Sequence, residues 1–563
     1  MSTREICWWK VFCFALLLCA AATAARAQTF TTLLDFDGTN GANPGSMSLV
    51  QGRDGNLYGT TSGGGAYGAG TVFRITPQGN LTTLYSFCAQ AGCPDGSNPQ
   101  AGLTLATDGN FYGTTLNGSS VPCDDLYGAG CGTVFRITPA GVLTTLYGFD
   151  STYWGHPSAA MIQATDGNFY GTTLGPPYWG GLGQVFKMTP QGSMTTLYNG
   201  QCWGGSCAFY SSLIQANDGN LYGTSGYGGI QDDGYSGTAF KITTAGAWST
   251  LFDFYCIYGC GDGAFPEGGL VQGIDGNFYG TASSGASGDG TVFVITPRGR
   301  FTTLYAFCAQ PNCADGATPT AGLIQATDGK FYGTTTGLGG PPDFTGTVFS
   351  ITRNGTLTTL HNFSGPDGAD SWAGLLQATN GTFYGVTSLG GANGYGTIFS
   401  LSTGLRPFVA FVMGSGKVGQ TGGILGQGLT GVTGVSFNGT PANFAVQGDT
   451  YLTATIPTGA TTGFVTVTSP KGKLISNLPF HVLPQILSFD PPSGQVGTVV
   501  TITGVSLTQT QGVGFGNYVL ANFTVISDTQ VTATVPSGAA TGPVGIKTVG
   551  GTAASSQTFT VTP

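Results

Sequence analysis

Histidine, the side chain best suited to acid–base chemistry near neutral pH, occurs only three times in the 563-residue sequence. His361 takes the place of tyrosine in "LTTLHNF" and His481 lies in a strand-like segment, so both are interpreted as structural. His156, in "STYWGHPSAA", is the one candidate acid–base residue. No serine lies in a GxSxG motif and no partner can be assigned to His156, so the sequence does not indicate a catalytic triad.

Carboxylates recur in a second pattern that could bind a hard cation. Asp-Gly contexts such as "PDGSNP" and "ADGATP" contain Asp37, Asp95, Asp262, Asp315 and Asp367. If the chain closes into a ring, these side chains could gather near its centre and bind Ca²⁺, which prefers oxygen ligands. Asp-Gly is also a common turn, and this alternative stays open. Apart from Ca²⁺, no cofactor is expected.

Adjacent acidic residues offer a third kind of chemistry. Asp124 and Asp125, or Asp232 and Asp233, could act as acid and base on a polysaccharide chain. The sequence does not fix the separation between carboxylates that this reaction requires.

Cysteines are the remaining reactive residues. Thirteen occur, and three of them lie in residues 1–27. The other ten form five close pairs: Cys88 with Cys93, Cys123 with Cys131, Cys202 with Cys207, Cys256 with Cys260, and Cys308 with Cys313. An even number in an exported chain predicts disulfides, because zinc sites need paired CxxC motifs or histidine partners that these spacings lack.

Export is predicted from the N-terminus. Basic residues precede the apolar run "VFCFALLLCAAATAA", and Ala25-Arg26-Ala27 follows, which is typical of a signal peptide cleaved after Ala27. Lipidation at Cys19 is the alternative, although Leu18 stands where a small residue is usual. No run is long enough to span a membrane. Cleavage changes the formal net charge from −9 to −11, which disfavours binding to nucleic acid or anionic lipid.

The elements that must position these residues repeat along the chain. Only 8% of residues are charged and 98 are glycine, and no long 3.6-residue apolar period occurs, so an all-β fold is predicted. "TDGNFYGTT" and its variants start at Asp54, Asp108, Asp166, Asp218, Asp275, Asp328 and Asn380. Each repeat contains four strand-like runs, in the second repeat residues 101–107, 110–115, 132–138 and 142–149. The period is that of a propeller blade.

The order of the runs predicts how the repeats close. "FTTLLDF" (30–36) is a run of the fourth type, whereas the last repeat ends with "GTIFSLS" (396–402), a run of the third type. The first strand is therefore predicted to complete the last blade of a seven-bladed β-propeller over 28–402. An open solenoid is the alternative, but it would need atypical capping repeats.

The connections divide between two faces of such a disc. "TDGN" and "TPAGV" are tight turns on one face, so the repeated motif is interpreted as a structural hairpin. The irregular connections, with all five cysteine pairs and most unusual aromatic residues, lie on the other face. We expect a ligand there. The candidate residues are Trp154, His156, Tyr178, Trp179, Trp203, Tyr210, Asp124 and Asp125. Tyr153, Tyr255, Tyr258 and Trp372 belong to the same aromatic set.

Two similar segments follow the repeats. "FAVQGDTYLTATIPTGATTGFVTV" (444–467) corresponds to "FTVISDTQVTATVPSGAATGPVGI" (523–546). Preceded by "ILSFDPPSGQVGTVVTITG", the second segment resembles an IPT/TIG domain, which implies an immunoglobulin-like sandwich over 484–563. The first, 403–483, lacks the Pro-Pro-Ser-Gly but shows the same short alternating strands.

The repeats themselves resemble the GloVer tandem repeats of exported bacterial proteins, through "DGNFYGTT", "GTVFRITP" and "LTTLYSF". This resemblance implies export and surface association but no established activity. The leading hypothesis is therefore a secreted or cell-surface, non-catalytic protein that binds an extracellular glycan or surface protein. An extracellular polysaccharide lyase or hydrolase is the first alternative, and a structural envelope protein is the second. The oligomeric state cannot be read from the sequence.

Overall fold

The protein is described by a computed structural model that covers residues 28–563 except 46–47, 122, 124–129, 151–154, 175–182, 201–207, 229–235, 256–260, 286–288, 338–344 and 517–518. Within these residues the fold is all-β, with a single turn of 3-10 helix at Pro311–Cys313. No helix in this part of the chain has the length and apolar character needed to cross a membrane.

Seven four-stranded antiparallel sheets, here called blades, make up the described part of residues 29–402. The chain begins with β1 (Thr29–Asp35). Blade 1 contains β2 (Val50–Gln51), β3 (Leu57–Thr61), β4 (Thr71–Ile75) and β5 (Leu81–Ser86). Blade 2 contains β6 (Thr104–Leu105), β7 (Phe111–Thr115), β8 (Thr133–Ile137) and β9 (Leu143–Gly148). Blade 3 contains β10 (Ile162–Gln163), β11 (Phe169–Thr172), β12 (Gln184–Met188) and β13 (Met194–Asn199).

The remaining blades repeat this pattern. Blade 4 contains β14 (Ile214–Gln215), β15 (Leu221–Ser225), β16 (Thr238–Ile242) and β17 (Trp248–Asp253). Blade 5 contains β18 (Val271–Gln272), β19 (Phe278–Ala282), β20 (Thr291–Ile295) and β21 (Phe301–Ala306). Blade 6 contains β22 (Ile324–Gln325), β23 (Phe331–Thr335), β24 (Thr347–Ile351) and β25 (Leu357–Asn362). Blade 7 contains β26 (Leu376–Gln377), β27 (Phe383–Thr387), β28 (Thr397–Ser402) and, as its fourth strand, β1.

The predicted closure by the first strand is present. β1 pairs antiparallel with β28, from Thr29 opposite Ser402 to Asp35 opposite Thr397. Gln51 of blade 1 also binds Thr379 of blade 7, whose backbone N–H donates to Gln51 Oε1 over 2.9 Å. The first strand thus completes the last blade, and the Gln51 side chain joins blade 1 to blade 7.

A glutamine clasp of this kind links most neighbouring blades. The backbone N–H of a turn residue donates to the glutamine side chain of the next blade, at Gln163, Gln215, Gln272, Gln325 and Gln377. Blade 2 has Leu105 at this position. There the Arg53 guanidinium of blade 1 reaches across to the Thr107 carbonyl over 2.7 Å instead.

The repeated motif has a structural reason at each position, as blade 2 shows. Asp108 accepts hydrogen bonds from the Asn110 amide and, over 3.1 Å, from the Tyr112 hydroxyl. The Tyr112 ring stacks on Phe169 of blade 3 with centroids 4.0 Å apart. At Gly113 a Cβ would lie 2.5 Å from the Phe135 ring, so only glycine fits there. The motif therefore builds turns and core packing.

The first strand of each blade is shorter than the sequence predicts. The pattern predicts a strand over 101–107, but only Thr104–Leu105 pair with β7. The preceding residues bind the neighbouring blade instead: the Ala101 carbonyl accepts a hydrogen bond from Thr60 over 2.9 Å. Contacts between blades thus replace the ladder within the blade.

Two sandwiches follow the propeller. The first contains β29 (Ala410–Phe411), β30 (Ser415–Gly416), β31 (Thr421–Leu425), β32 (Gly434–Phe437), β33 (Thr440–Ala442), β34 (Phe444–Val446), β35 (Tyr451–Thr455), β36 (Val465–Ser469), β37 (Gly472–Ile475) and β38 (His481–Val482). The second contains β39 (Gln485–Asp490), β40 (Ser493–Gly494), β41 (Val499–Val505), β42 (Thr510–Phe515), β43 (Val519–Leu520), β44 (Phe523–Ser527), β45 (Gln530–Thr534), β46 (Gly542–Thr548) and β47 (Gly551–Val561). Each encloses its own apolar core.

The first sandwich attaches to one face of the propeller. We call the side with the Asp-Gly turns the turn face and the opposite side, with the connections between second and third strands and between blades, the loop face. Thr450 of the first sandwich donates to the Arg53 carbonyl over 2.7 Å, and the Tyr451 ring lies 4.7 Å from the Arg53 guanidinium. Thr379 donates to Gly426. Arg53 and Thr379 both belong to turns of the turn face, so the first sandwich lies on that face.

Candidate ligand-binding face

The loop face carries one comparable residue per blade, four positions before the first strand, which we call the pre-strand position. In blade 1 it is residue 46, which lies outside the described residues. In blades 2 to 7 it is Gln100, Ser158, Tyr210, Glu267, Thr320 and Trp372. Tyr210 and Trp372 are 39% and 37% exposed, whereas Ser158 and Thr320 are buried. The repeats therefore place large, exposed aromatic rings at the same position in blades 4 and 7.

His156 belongs to a different repeated position. Its φ is +52°, and residues of similar left-handed conformation stand in the corresponding loops at Asn43, Asn98, Phe265, Thr318 and Asp370. Each bridges two blades; the His156 N–H donates to Cys131 and its carbonyl accepts from Leu174. The His156 ring is 9% exposed, with Nδ1 3.0 Å from the Leu116 carbonyl. The structure thus gives the predicted acid–base histidine a structural position in the loop.

The other two histidines occupy structural positions as well. His361 stacks on Phe30 of β1 with ring centroids 3.6 Å apart, and its Nε2 lies 2.8 Å from Asp367. Burial in the first sandwich lowers the pKa of His481, and a hydrogen bond to the Val549 backbone opposes this shift.

The structure does not bring together the five aspartates predicted to bind calcium. Asp95 and Asp315 accept hydrogen bonds from Tyr85 and Tyr305, which lie on fourth strands at the outer edge of their blades. Asp367 binds His361 of another fourth strand. Asp37 caps its own turn by accepting from the Thr39 and Asn40 N–H groups, and Asp262 is exposed. These carboxylates close individual loops, because the connections that carry them start at the outer strands.

Three of the predicted disulfides lie in the described part of the chain and are formed: Cys88–Cys93, Cys123–Cys131 and Cys308–Cys313. Asp289 lies with Cys308 and Cys313 in the one group of potential metal ligands found among the described residues. Because those two sulfurs are bonded to each other, they offer no thiolate to a metal.

The other two predicted disulfides lie outside the described residues. The spacing pairs Cys202 with Cys207 in blade 3. It pairs Cys256 with Cys260 after blade 4. Both bridges therefore stay predictions from the close spacing of the cysteines.

Several predicted ligand-binding residues also lie outside the described residues: Trp154, Tyr178, Trp179, Trp203, Asp124 and Asp125. The acid–base hypothesis for Asp124 and Asp125, and that for Asp232 and Asp233, remain predictions for the same reason. Of the five aromatic residues in that candidate set, Tyr210 is the one that the structure describes.

Tyr210 lies in a cluster between blades 4 and 5. Its ring centroid is 6.1 Å from that of Tyr227, which in turn lies 5.4 Å from that of Phe265. Glu267 of blade 5 approaches the same ring, since a Cβ built on Gly226 would lie 3.0 Å from Tyr210 Cδ2 and 3.4 Å from Glu267 Cγ. Burial, Tyr227 and Glu267 raise the pKa of Tyr210 to about 12, so its hydroxyl stays neutral. Two tyrosine rings and a carboxylate therefore meet at one point, at which Tyr210 is exposed and Tyr227 and Glu267 are half-buried.

Glu267 was missed by the sequence reasoning, although a signal was present. It is the sole glutamate after residue 27, whereas aspartate is frequent. Aligning the repeats on their first strands would have placed Glu267 and Tyr210 at the same position of adjacent blades. A search for two acidic residues adjacent in the sequence does not find Glu267, because aromatic rings and not a second acid surround it.

Comparisons with known proteins agree with the repeats and the tail. The family model described as the Gloeobacter/Verrucomicrobia repeat matches residues 21–173, 124–341 and 309–473. The IPT/TIG domain model matches residues 484–562. No curated protein matches the chain.

Solved structures give only distant likenesses. A fungal alcohol oxidase of the AA5 family, in complex with copper, is 13% identical with a TM-score of 0.42, over 81% of this chain and 98% of that one. A gluconolactonase from Xanthomonas campestris is 14% identical with a TM-score of 0.30, over 48% and 78%. The surface glycan-binding protein PbSGBP-B from Prevotella bryantii is 17% identical with a TM-score of 0.21, over 26% of this chain and only 38% of its own length. Likenesses this low carry no argument about function.

Proposed function

Because the chain belongs to the Gloeobacter/Verrucomicrobia repeat family and ends in an IPT/TIG domain, we propose that it is an extracytoplasmic, non-catalytic binding protein whose loop face binds a glycan. The two sandwiches act as the attachment and spacer region. The propeller supplies a rigid frame on which irregular loops present the binding residues.

One observation carries this proposal: the two faces of the propeller are used differently. The first sandwich packs on the turn face through Arg53 and Thr379, on the side opposite the loop face. On that face Tyr210 and Trp372 stand exposed at equivalent positions of two blades. Exposed aromatic rings held by a rigid scaffold are typical of ligand contacts.

The class of ligand follows from the chemistry of the face. A pyranose ring offers apolar C–H groups that pack on an aromatic ring, while its hydroxyls bond to nearby polar groups. The formal net charge of the sequence is −9, which disfavours polyanions as ligands. The disulfides Cys88–Cys93 and Cys308–Cys313 support an oxidising, extracytoplasmic compartment.

A glycan array tests the proposal with residues 28–563. Selective binding is expected. Replacement of both Tyr210 and Trp372 by alanine should weaken it by about tenfold or more, since aromatic rings that become buried on binding dominate the affinity of such sites. Phe464→Ala is the control, because Phe464 is a comparably exposed ring on the first sandwich, 44% accessible. An array without any bound glycan, or binding that the double variant retains, would contradict the proposal.

A further inference from the structure

The cluster around Tyr210 has an unusual electrostatic character. Within the part of the chain that the structure describes, four ion pairs are present and none includes Glu267. Burial raises the pKa of Glu267, and the nearby Ser283 hydroxyl, which donates to the Phe265 carbonyl over 3.2 Å, opposes this shift only in part. Even partial burial of a carboxylate without a cationic partner costs free energy, and proteins rarely retain such a group without a use.

The surroundings of the carboxylate are aromatic. Tyr210, Tyr227 and Phe265 form a chain of rings, with centroid separations of 6.1 and 5.4 Å. The Tyr210 hydroxyl remains protonated, so the ring presents a neutral, electron-rich face. Faces of this kind attract organic cations, most strongly where water is partly excluded.

The space for the Tyr210 ring depends on one small residue. Gly226 follows the second strand of blade 4, where the corresponding residues of the other blades are Ser62, Leu116, Leu174, Ser283, Thr336 and Ser388. No other blade has glycine at this position. A Cβ on Gly226 would lie 3.0 Å from Tyr210 Cδ2 and 3.4 Å from Glu267 Cγ, so either side chain would have to shift slightly, and glycine leaves room for both.

We propose that Tyr210, Tyr227 and Glu267 form a subsite for an organic ammonium group. The rings supply cation–π attraction and the carboxylate supplies the counter-charge. A metal ion does not fit, because a hard cation needs several oxygen ligands and the described residues of this cluster offer only one carboxylate. The inference rests on the proposed function in placing the ligand on the loop face, and it narrows the glycan to one that bears a cationic group.

Two sources could supply this group, the free amines of an amino sugar polymer or the quaternary ammonium of a choline-bearing glycan. Calorimetry with residues 28–563 should compare a glucosamine oligosaccharide, its N-acetylated counterpart and choline. We expect the free amine to bind about tenfold more tightly than the N-acetylated sugar, because acetylation removes the charge. Binding of choline alone would assign the subsite to quaternary ammonium.

The variants separate a binding role from a structural one. Glu267→Gln should weaken binding of the cationic ligand by about tenfold. Asp262→Asn is the matched control, since it removes the same charge from an exposed position on the same loop and should leave binding unchanged. Gly226→Ala should weaken binding by displacing the Tyr210 ring, whereas Tyr210→Phe keeps the ring and should retain binding.

The outcomes distinguish this inference from the proposed function. Equal binding of the amine and its N-acetylated form, or unaltered binding by Glu267→Gln, would overturn the ammonium subsite while leaving glycan binding intact. Binding of neutral glycans without any response to amines or choline would do the same. Loss of all glycan binding to the unmodified protein would instead contradict the proposed function.

Discussion

The two faces of the propeller are built by the same repeats but use their polar groups in opposite ways. On the turn face, Asp218 accepts hydrogen bonds from the Tyr222 hydroxyl over 2.8 Å and from Lys241 over 3.0 Å. On the loop face, Glu267 is partly buried and belongs to none of the ion pairs among the described residues. The Asp218 carboxylate is satisfied within its own blade, whereas Glu267 has no cationic partner among the described residues.

The proposed function assigns stability and recognition to different faces of the same repeats. Each blade needs its turn and its stacked tyrosine to hold the ring, so those residues recur almost unchanged. The loops between blades bear a smaller share of the packing and can vary. We therefore expect ligand-binding residues at positions where one repeat differs from the others, such as Gly226 and Glu267.

The largest effect is expected from breaking the turn face. Burial raises the pKa of Asp218, but hydrogen bonds from Asn220, Tyr222 and Lys241 outweigh this effect and lower it. Asp218→Ala would leave the Tyr222 hydroxyl without its partner and should cost roughly 2–3 kcal/mol in the free energy of unfolding. Urea denaturation measures this change. Because the pKa is lowered in the folded state, the contribution is present at neutral pH and lost as pH falls through the folded pKa.

The matched control for that variant is an aspartate of the loop face. Asp262 also precedes a glycine but is exposed. Asp262→Ala should change the free energy of unfolding by less than about 0.5 kcal/mol. If it destabilises the chain as much as Asp218→Ala does, the contrast between the faces is wrong.

A smaller effect is expected where the turn face meets the tail. Arg53 donates to Thr107 of blade 2 and stacks on Tyr451 of the first sandwich. Arg53→Ala removes both contacts and should lower the free energy of unfolding by about 1–2 kcal/mol. The segment after residue 402 should then be cleaved faster by a protease. Limited proteolysis followed by mass spectrometry measures this loosening.

The exposed Arg298, on a turn of blade 5, provides the comparison for Arg53. Arg298→Ala should leave the cleavage rate unchanged, since surface substitutions away from special contacts have small effects. If the Arg53→Ala variant and the unmodified chain are cleaved at the same rate, the attachment of the tail does not depend on this contact.

The smallest effect, and the one of opposite sign, is expected on the loop face. Burial raises the pKa of Glu267, so the ionised carboxylate is less stable in the folded chain than in the unfolded chain. Glu267→Gln should therefore stabilise the protein at neutral pH, by on the order of 0.5 kcal/mol. The gain should disappear as pH falls below the unfolded pKa, where the carboxyl is neutral in both states.

Tyr210 and Tyr227 are the titratable side chains that share this cluster with Glu267. The acidic range lies far below the pH at which tyrosine hydroxyls ionise, so the crossover reports on the carboxyl group. Thermal unfolding of both proteins across the acidic range measures it. A destabilised Glu267→Gln variant would show that the carboxylate holds the fold together and would remove the main argument for a ligand subsite.

The fold could be predicted from the sequence because its signals are local and repeated. Turn residues at Asp108-Gly109 and the displaced strand at residues 30–36 each point to one arrangement. The lengths of the first strands were predicted less well, since the residues before Thr104 form hydrogen bonds with another blade and do not pair with the second strand of their own blade. Such contacts have no local signature.

The candidate site could be predicted only in part. Irregular loops rich in aromatic residues predict a ligand on the loop face, and Tyr210 is the aromatic residue of the candidate set that the structure describes. The calcium hypothesis placed Asp95 and Asp315 near the centre, whereas their hydrogen bonds hold them at the outer strands. His156 looked reactive because histidine is rare, but its φ of +52° and buried ring belong to a repeated corner of the backbone.

The sequence by itself determined the all-β repeats, their closure and the disulfides that join Cys88 to Cys93 and Cys308 to Cys313, because hydrophobic pattern, turn residues and close spacing act over short distances. Only the tertiary structure decided which face the first sandwich covers and which side chains meet on the other. Tyr210 and Glu267 are 57 residues apart in the chain and converge because adjacent blades pack side by side. The juxtaposition arises from blade packing, which no single repeat encodes.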